Sequence, residues 1–184
     1  RTGQLGPEYI GDVLSDQTLF WVGKEFGFGF YRAGNINTAF VFDAARQGIY
    51  DSVKLPSIRG QLVDSTCVFG HNRAWLFIAT HEGGKMMRQA VVINRNGVVE
   101  ASLKVEANEE DWLTNIRGKC AAGTFLLAAT DDGIVRIEVS NGTIVKTRTF
   151  PDTESSVNSG CHLFPGDDGL YVANGKEIWH LKMK

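Results

Sequence analysis

Between Cys120 and Pro151 the chain alternates between apolar, β-branched-rich runs and short polar breaks. The runs are Thr124 to Ala129, Ile134 to Val139 and Thr143 to Thr149, separated by Asp-Asp-Gly and Asn-Gly. Residues of these breaks tolerate the positive φ of tight hairpin turns, so the pattern predicts an antiparallel meander. With the short Gly118 to Ala122 run in front, it makes about four strands in roughly 40 residues, the size of one unit of a repeat architecture. A meander of this size cannot bury both faces alone, so neighbouring copies are expected.

The pattern recurs. Upstream, a unit beginning at Cys67 runs through a Gly-rich turn at Gly83-Gly84 and an Asn96-Gly97 turn. Downstream, a unit beginning at Cys161 carries Asp167-Asp168-Gly169 and Asn174-Gly175. The three cysteines, 53 and 41 residues apart, are therefore expected at one shared position of the repeat. Ile58-Arg59-Gly60-Gln61 and Ile116-Arg117-Gly118-Lys119 read as two copies of one lead-in segment, and Leu55-Pro56 matches Phe150-Pro151.

The first unit is the most divergent. Thr18 to Gly23, Gly27 to Arg32, Thr38 to Ala44 and Ile49 to Leu55 fill its four strand positions. Alternation in Phe26-Gly-Phe-Gly-Phe30 puts three rings on one strand face and two glycines on the other, which suits close stacking of sheets. The last unit reaches Lys184 after its third strand, and Pro7 to Val13 is the candidate for the missing fourth.

Blade length and turn chemistry of this kind resemble the β-propeller repeat class, which includes the WD40, YVTN and quinoprotein-like families. The resemblance spans about Leu14 to Lys184. The Trp-Asp pair that WD40 blades carry at the end of the third strand is replaced here by Ile93-Asn94 and Glu138-Val139. The expected fold is all-β, a β-propeller-like array of about four four-stranded antiparallel blades within a single domain over residues 1–184. The units fall at about 14–56, 57–106, 107–151 and 152–184, forming a small closed propeller or an arc of a larger one. A β-sandwich is the alternative. Members of the class mostly act as binding platforms, so the resemblance implies a binding domain.

Composition is that of a globular β-protein. A 43% hydrophobic content with 21 glycines fits many short strands joined by tight turns, and a formal charge of −2 gives no reason to expect nucleic acid or an anionic membrane. Nothing in the sequence reads as a membrane span or a signal core, and the apolar runs are strand-sized. The first residue is Arg1, which suggests part of a longer chain. Three cysteines a blade apart predict reduced thiols in a cytoplasmic protein.

No catalytic motif stands out. Setting Gly133 at the invariant glycine of an EF-hand puts Ala128 and Val139 at the end ligand positions, so Asp131-Asp132-Gly133 reads as a turn. His81-Glu82-Gly83-Gly84 lacks the second histidine of a zinc-protease helix, and the cysteines with His71 and His162 have no metal-ligand spacing. Neither a metal nor a cofactor is expected.

The best recognition element is the long connection before Cys120. It carries Glu106, Glu109, Glu110 and Asp111, followed by an exposed-looking Trp112, with Asp152 and Glu154 one unit later and Arg59, Arg117 and Lys119 beside them. The cations are expected to pair with neighbouring carboxylates. The function expected from sequence is a non-catalytic interaction or scaffold domain. It would bind a protein partner or the remainder of its parent chain through Glu109, Glu110, Asp111, Trp112, Arg59, Arg117 and Lys119, or self-associate through open sheet edges. The alternative is a ligand- or metal-binding propeller enzyme of the quinoprotein or lactonase kind, which would need polar groups on the inner strands.

Overall fold

An apolar run with no polar alternation is explained only if both faces of its strand are covered, and the run Ala74 to Thr80 is buried at every position. The computed structural model describes residues 18–22, 26–33, 36–43, 48–53, 55–56, 58–108, 112–131, 133–150, 161–166, 169–174 and 177–182. The described residues are all-β and contain no helix. The first sheet joins β1 (Thr18–Val22), β2 (Gly27–Ala33), β3 (Ile36–Asp43) and β4 (Gly48–Val53), and the second joins β5 (Gln61–Gly70), β6 (Arg73–Glu82), β7 (Lys85–Asn94) and β8 (Val99–Glu106). The third joins β9 (Gly118–Ala122), β10 (Phe125–Thr130), β11 (Gly133–Ser140) and β12 (Thr143–Phe150). The fourth has β13 (Cys161–Gly166), β14 (Gly169–Asn174) and β15 (Glu177–Lys182). Every sheet is an antiparallel meander in chain order.

The turns follow from their residues. Asn141 (φ 51°) and Gly142 (φ 73°) both take the left-handed conformation, the mirror-image turn whose twist matches that of its flanking strands. At the end of β7 the Asn94 side-chain oxygen accepts from the backbone N–H of Asn96 and of Val98, each at 3.0 Å, closing the turn before β8.

The sheets stack face to face in chain order, and three cores lie between them. Phe26, Phe28 and Val41 of the first sheet's side meet Leu76, Ile78, Val91 and Ile93 of the second. From the opposite face of the second sheet, Trp75, Phe77, Ala90 and Val92 meet Leu126, Ala128, Val135 and Ile137 of the third. From the far face of the third, Leu127, Ala129 and Ile134 meet Leu163, Leu170 and Val172 of the fourth. Alternation along one strand thus feeds two cores, and each fully buried Leu, Ile or Phe contributes roughly 1.5–3 kcal/mol.

Adjacent sheets are also tied by hydrogen bonds. The His71 N–H donates to the Gly123 carbonyl at 3.2 Å, and Arg73 Nη1 donates to the Thr124 carbonyl at 2.9 Å, so the β5–β6 hairpin is fastened to the β9–β10 hairpin.

The cysteines do not share one position. Cys67 pairs with Leu76 and faces the first core, whereas Cys120 pairs with Leu127 and faces the third, which Cys161 enters from the other side. Cys67 lies three residues before the hairpin-closing Gly70, Cys120 two before Ala122 and Cys161 five before Gly166. The odd and even offsets put Cys120 on the opposite face from the other two. Strand lengths cause the mismatch, because β5 has 10 residues, β9 has 5 and β13 has 6. All three thiols are free. The segment Pro7 to Val13 lies outside the described residues.

Candidate functional site

Charged residues inside strands whose faces are both covered have to be accommodated between sheets, and three of them meet at one place. Asp64 and Thr66 on β5, Arg88 on β7, Lys119 on β9 and Thr114 on the β8–β9 connection line a cleft of about 200 Å³ between the second and third sheets. Register explains the convergence. Asp64 pairs with Ala79 and Thr66 with Phe77, while Arg88 also pairs with Ala79, so all three share the face of the second sheet that meets the third. Lys119 pairs with Ala128, which packs in the same second core.

Electrostatics of the cleft are strained. The Lys119 ammonium sits 5.1 Å from the centre of the Phe77 ring. Burial holds its pKa below the ordinary value, Asp64 pulls it back up, and Arg88 lowers it further by like-charge repulsion. Arg88 Nε and Thr114 Oγ1 are both buried and have no hydrogen-bond partner among the described residues. Among the residues of the cleft, Asp64 is exposed, while Arg88, Thr114 and Lys119 are half-buried, so the cleft opens to solvent on its Asp64 side.

The expected recognition residues are dispersed. Trp112 is half-buried and packs against the second core beside Leu113, which is 5% exposed. This corrects the exposed reading, since an indole next to a buried leucine gains more from core contact than from solvent. A turn holds it, closed by the Asn115 N–H donating to the Trp112 carbonyl at 3.2 Å. Glu109, Glu110 and Asp111, with Asp152 and Glu154, lie outside the described residues. Arg59 is exposed just before β5.

Arg117 pairs with Asp131 and donates its backbone N–H to the Ala129 carbonyl at 2.8 Å, which binds the start of β9 to the end of β10. Among the described members of that set, Arg59, Trp112, Arg117 and Lys119, only Lys119 lines the cleft. Asp64, Thr66, Arg88 and Thr114 are not among the residues that the sequence pattern marks for recognition. The available signal was a charge in mid-strand: Arg88 in Lys85-Met-Met-Arg-Gln-Ala90, and Lys119 in Gly118-Lys-Cys-Ala-Ala122.

The thiols are chemically quiet. Burial pushes Cys67 and Cys120 up to about 12 and raises Cys161 as well, the last partly offset by Arg117. Among the described residues no three His, Cys, Asp or Glu side chains are grouped to hold a metal, and no helix is long and apolar enough to cross a membrane. No family model matches the chain, and no curated protein matches it.

Proposed function

We propose that this chain is a non-catalytic interaction domain, a propeller-like array in which the four sheets serve as blades, and that it binds a protein partner. The blade reading is supported by the order of the stack. The first strands β5, β9 and β13 neighbour one another in sequence, and the outer strands β8 and β12 are neighbours too, as strands ranked about an axis would be.

One observation carries the binding reading. The outward face of the fourth sheet presents Phe164, Tyr171 and Ile178, which are 54%, 40% and 73% exposed. Phe164 pairs with Tyr171, and Tyr171 stacks on His180 at 4.6 Å between centroids. Exposed apolar side chains gathered on one sheet face mark contact surfaces. The partner it fits is a protein that lays an apolar β-sheet face on this one, because each other interface in the stack is formed in that way.

The test compares wild type with the double variant Phe164→Asp, Ile178→Asp as bait in a native lysate, with retained proteins quantified by mass spectrometry. Both positions are exposed, so the fold is expected to tolerate the change. The proposal expects a partner whose retention falls about thirtyfold, the size of a lost hot spot. Identical proteins retained in equal amounts by both baits would remove it.

A further inference from the structure

The cleft between the second and third sheets holds more positive than negative charge, and two of its donors are unanswered. Lys119 and Arg88 line the cleft with Asp64, so the described charged groups of the lining sum to one net positive charge. Arg88 Nε–H and the Thr114 hydroxyl are buried without a hydrogen-bond partner among the described residues, and a buried donor left unpaired is destabilising. Thr66 adds a further hydroxyl to the wall.

We infer that this cleft is a binding site for a compact oxyanion, a carboxylate or phosphate group held by Arg88, Lys119 and Thr114. The volume limits the ligand to a small molecule or group. A volume of about 200 Å³ falls below the range of roughly 300–1,000 Å³ typical of sites for drug-sized molecules. An oxyanion there accepts from the Arg88 guanidinium and the Thr114 hydroxyl and neutralises the surplus charge. It also counters both effects that lower the Lys119 pKa, burial first and then repulsion from Arg88. Asp64, on the open side, restricts the site to an anion small enough to sit behind it.

This site is separate from the outward face of the fourth sheet, so either proposal can fail alone. The experiment is an amide-resolved NMR titration of the intact chain with inorganic phosphate in one arm and malonate in the other, at constant ionic strength. Saturable shifts at Thr66, Arg88 and residues 112–119 are expected with a Kd of about 1 mM, the weak end of specific binding. Response to phosphate alone assigns a phosphate group, response to malonate alone a carboxylate, and response to both the shared chemistry. Arg88→Gln should weaken binding about tenfold or more, while Arg117→Gln, whose side chain pairs with Asp131, should not. The wild-type shift map locates the site even if Arg88→Gln does not fold. No saturable shift in either arm, or shifts confined to other sheets, would overturn the inference.

Discussion

The Lys119 ammonium, carried by the third sheet, lies 5.1 Å from the centre of the Phe77 ring on the second, so a charge rests where two sheets share a core. This placement has a pH signature. Below its lowered pKa, Lys119 is charged in both folded and unfolded chains, and the full cost of holding the charge is present. Between that value and the ordinary 10.5 the unfolded chain binds more protons, so this group's contribution makes stability rise with pH. Above 10.5 the cost is gone. Urea unfolding of wild type and Lys119→Met at several pH values should show wild type gaining on the variant as pH approaches 10.5, with Asp64 and Arg88 unchanged in both. A constant difference across that range would contradict the desolvated lysine.

The thiols give the opposite slope. Cys67 and Cys120 lose protons near 9 when unfolded but only near 12 when folded. The stability they contribute is complete below pH 9 and declines as pH rises from 9 to 12. At pH 8 a thiol with a pKa near 12 has about a thousandfold less thiolate than one near 9, so both should react with a disulfide reagent only on unfolding. Rapid labelling of either cysteine in the native chain, mapped by peptide mass, would show that its burial is wrong.

Gly118 is fixed by a close approach. A Cβ there would lie 2.4 Å from the Cys161 carbonyl oxygen, so Gly118→Ala must force β9 away from β13. The expected cost is about 2 kcal/mol or more, in the range for overpacked interiors. Chemical denaturation reads it directly, and a loss within about 0.5 kcal/mol, typical of open surface sites, would mean that the two strands do not abut.

How much of this was legible in the sequence depends on what each residue reports. Asn141-Gly142 and Gly83-Gly84 announced their hairpins because positive φ is a local requirement, and β10, β11 and β12 fall where the apolar runs put them. Phe26 and Phe28 announced a stacked face because the alternating glycines left it no other use. Cys67, Cys120 and Cys161 misled, since equal order along a unit does not guarantee equal parity on strands of different length. Trp112 misled for a related reason. Charged sequence neighbours say nothing about the core that Leu113 enters. The cleft was not visible at all, because Asp64, Arg88 and Lys119 are 24 and 31 residues apart and are united only by sheet stacking.

The shared cores predict a pair of mutational costs. Leu126 and Leu127 are adjacent and both fully buried, yet they serve different cores. Leu126→Ala and Leu127→Ala should each cost about 2–5 kcal/mol, against less than about 0.5 for Val98→Ala at a position 57% exposed. Equilibrium unfolding of the three variants checks this. A low cost for either leucine would mean that one face of the third sheet is not packed.

The sheets stack in chain order, each inner sheet giving one face to the sheet before it and the other to the sheet after. The most direct measurement is a methyl-labelled NOESY spectrum of the intact chain, read at these two leucines. Cross-peaks are expected from the Leu126 methyls to the Trp75 or Phe77 ring protons, and from the Leu127 methyls to Leu163, Leu170 or Val172. Both leucines contacting the same sheet, or Leu127 showing no contact with the fourth, would contradict it.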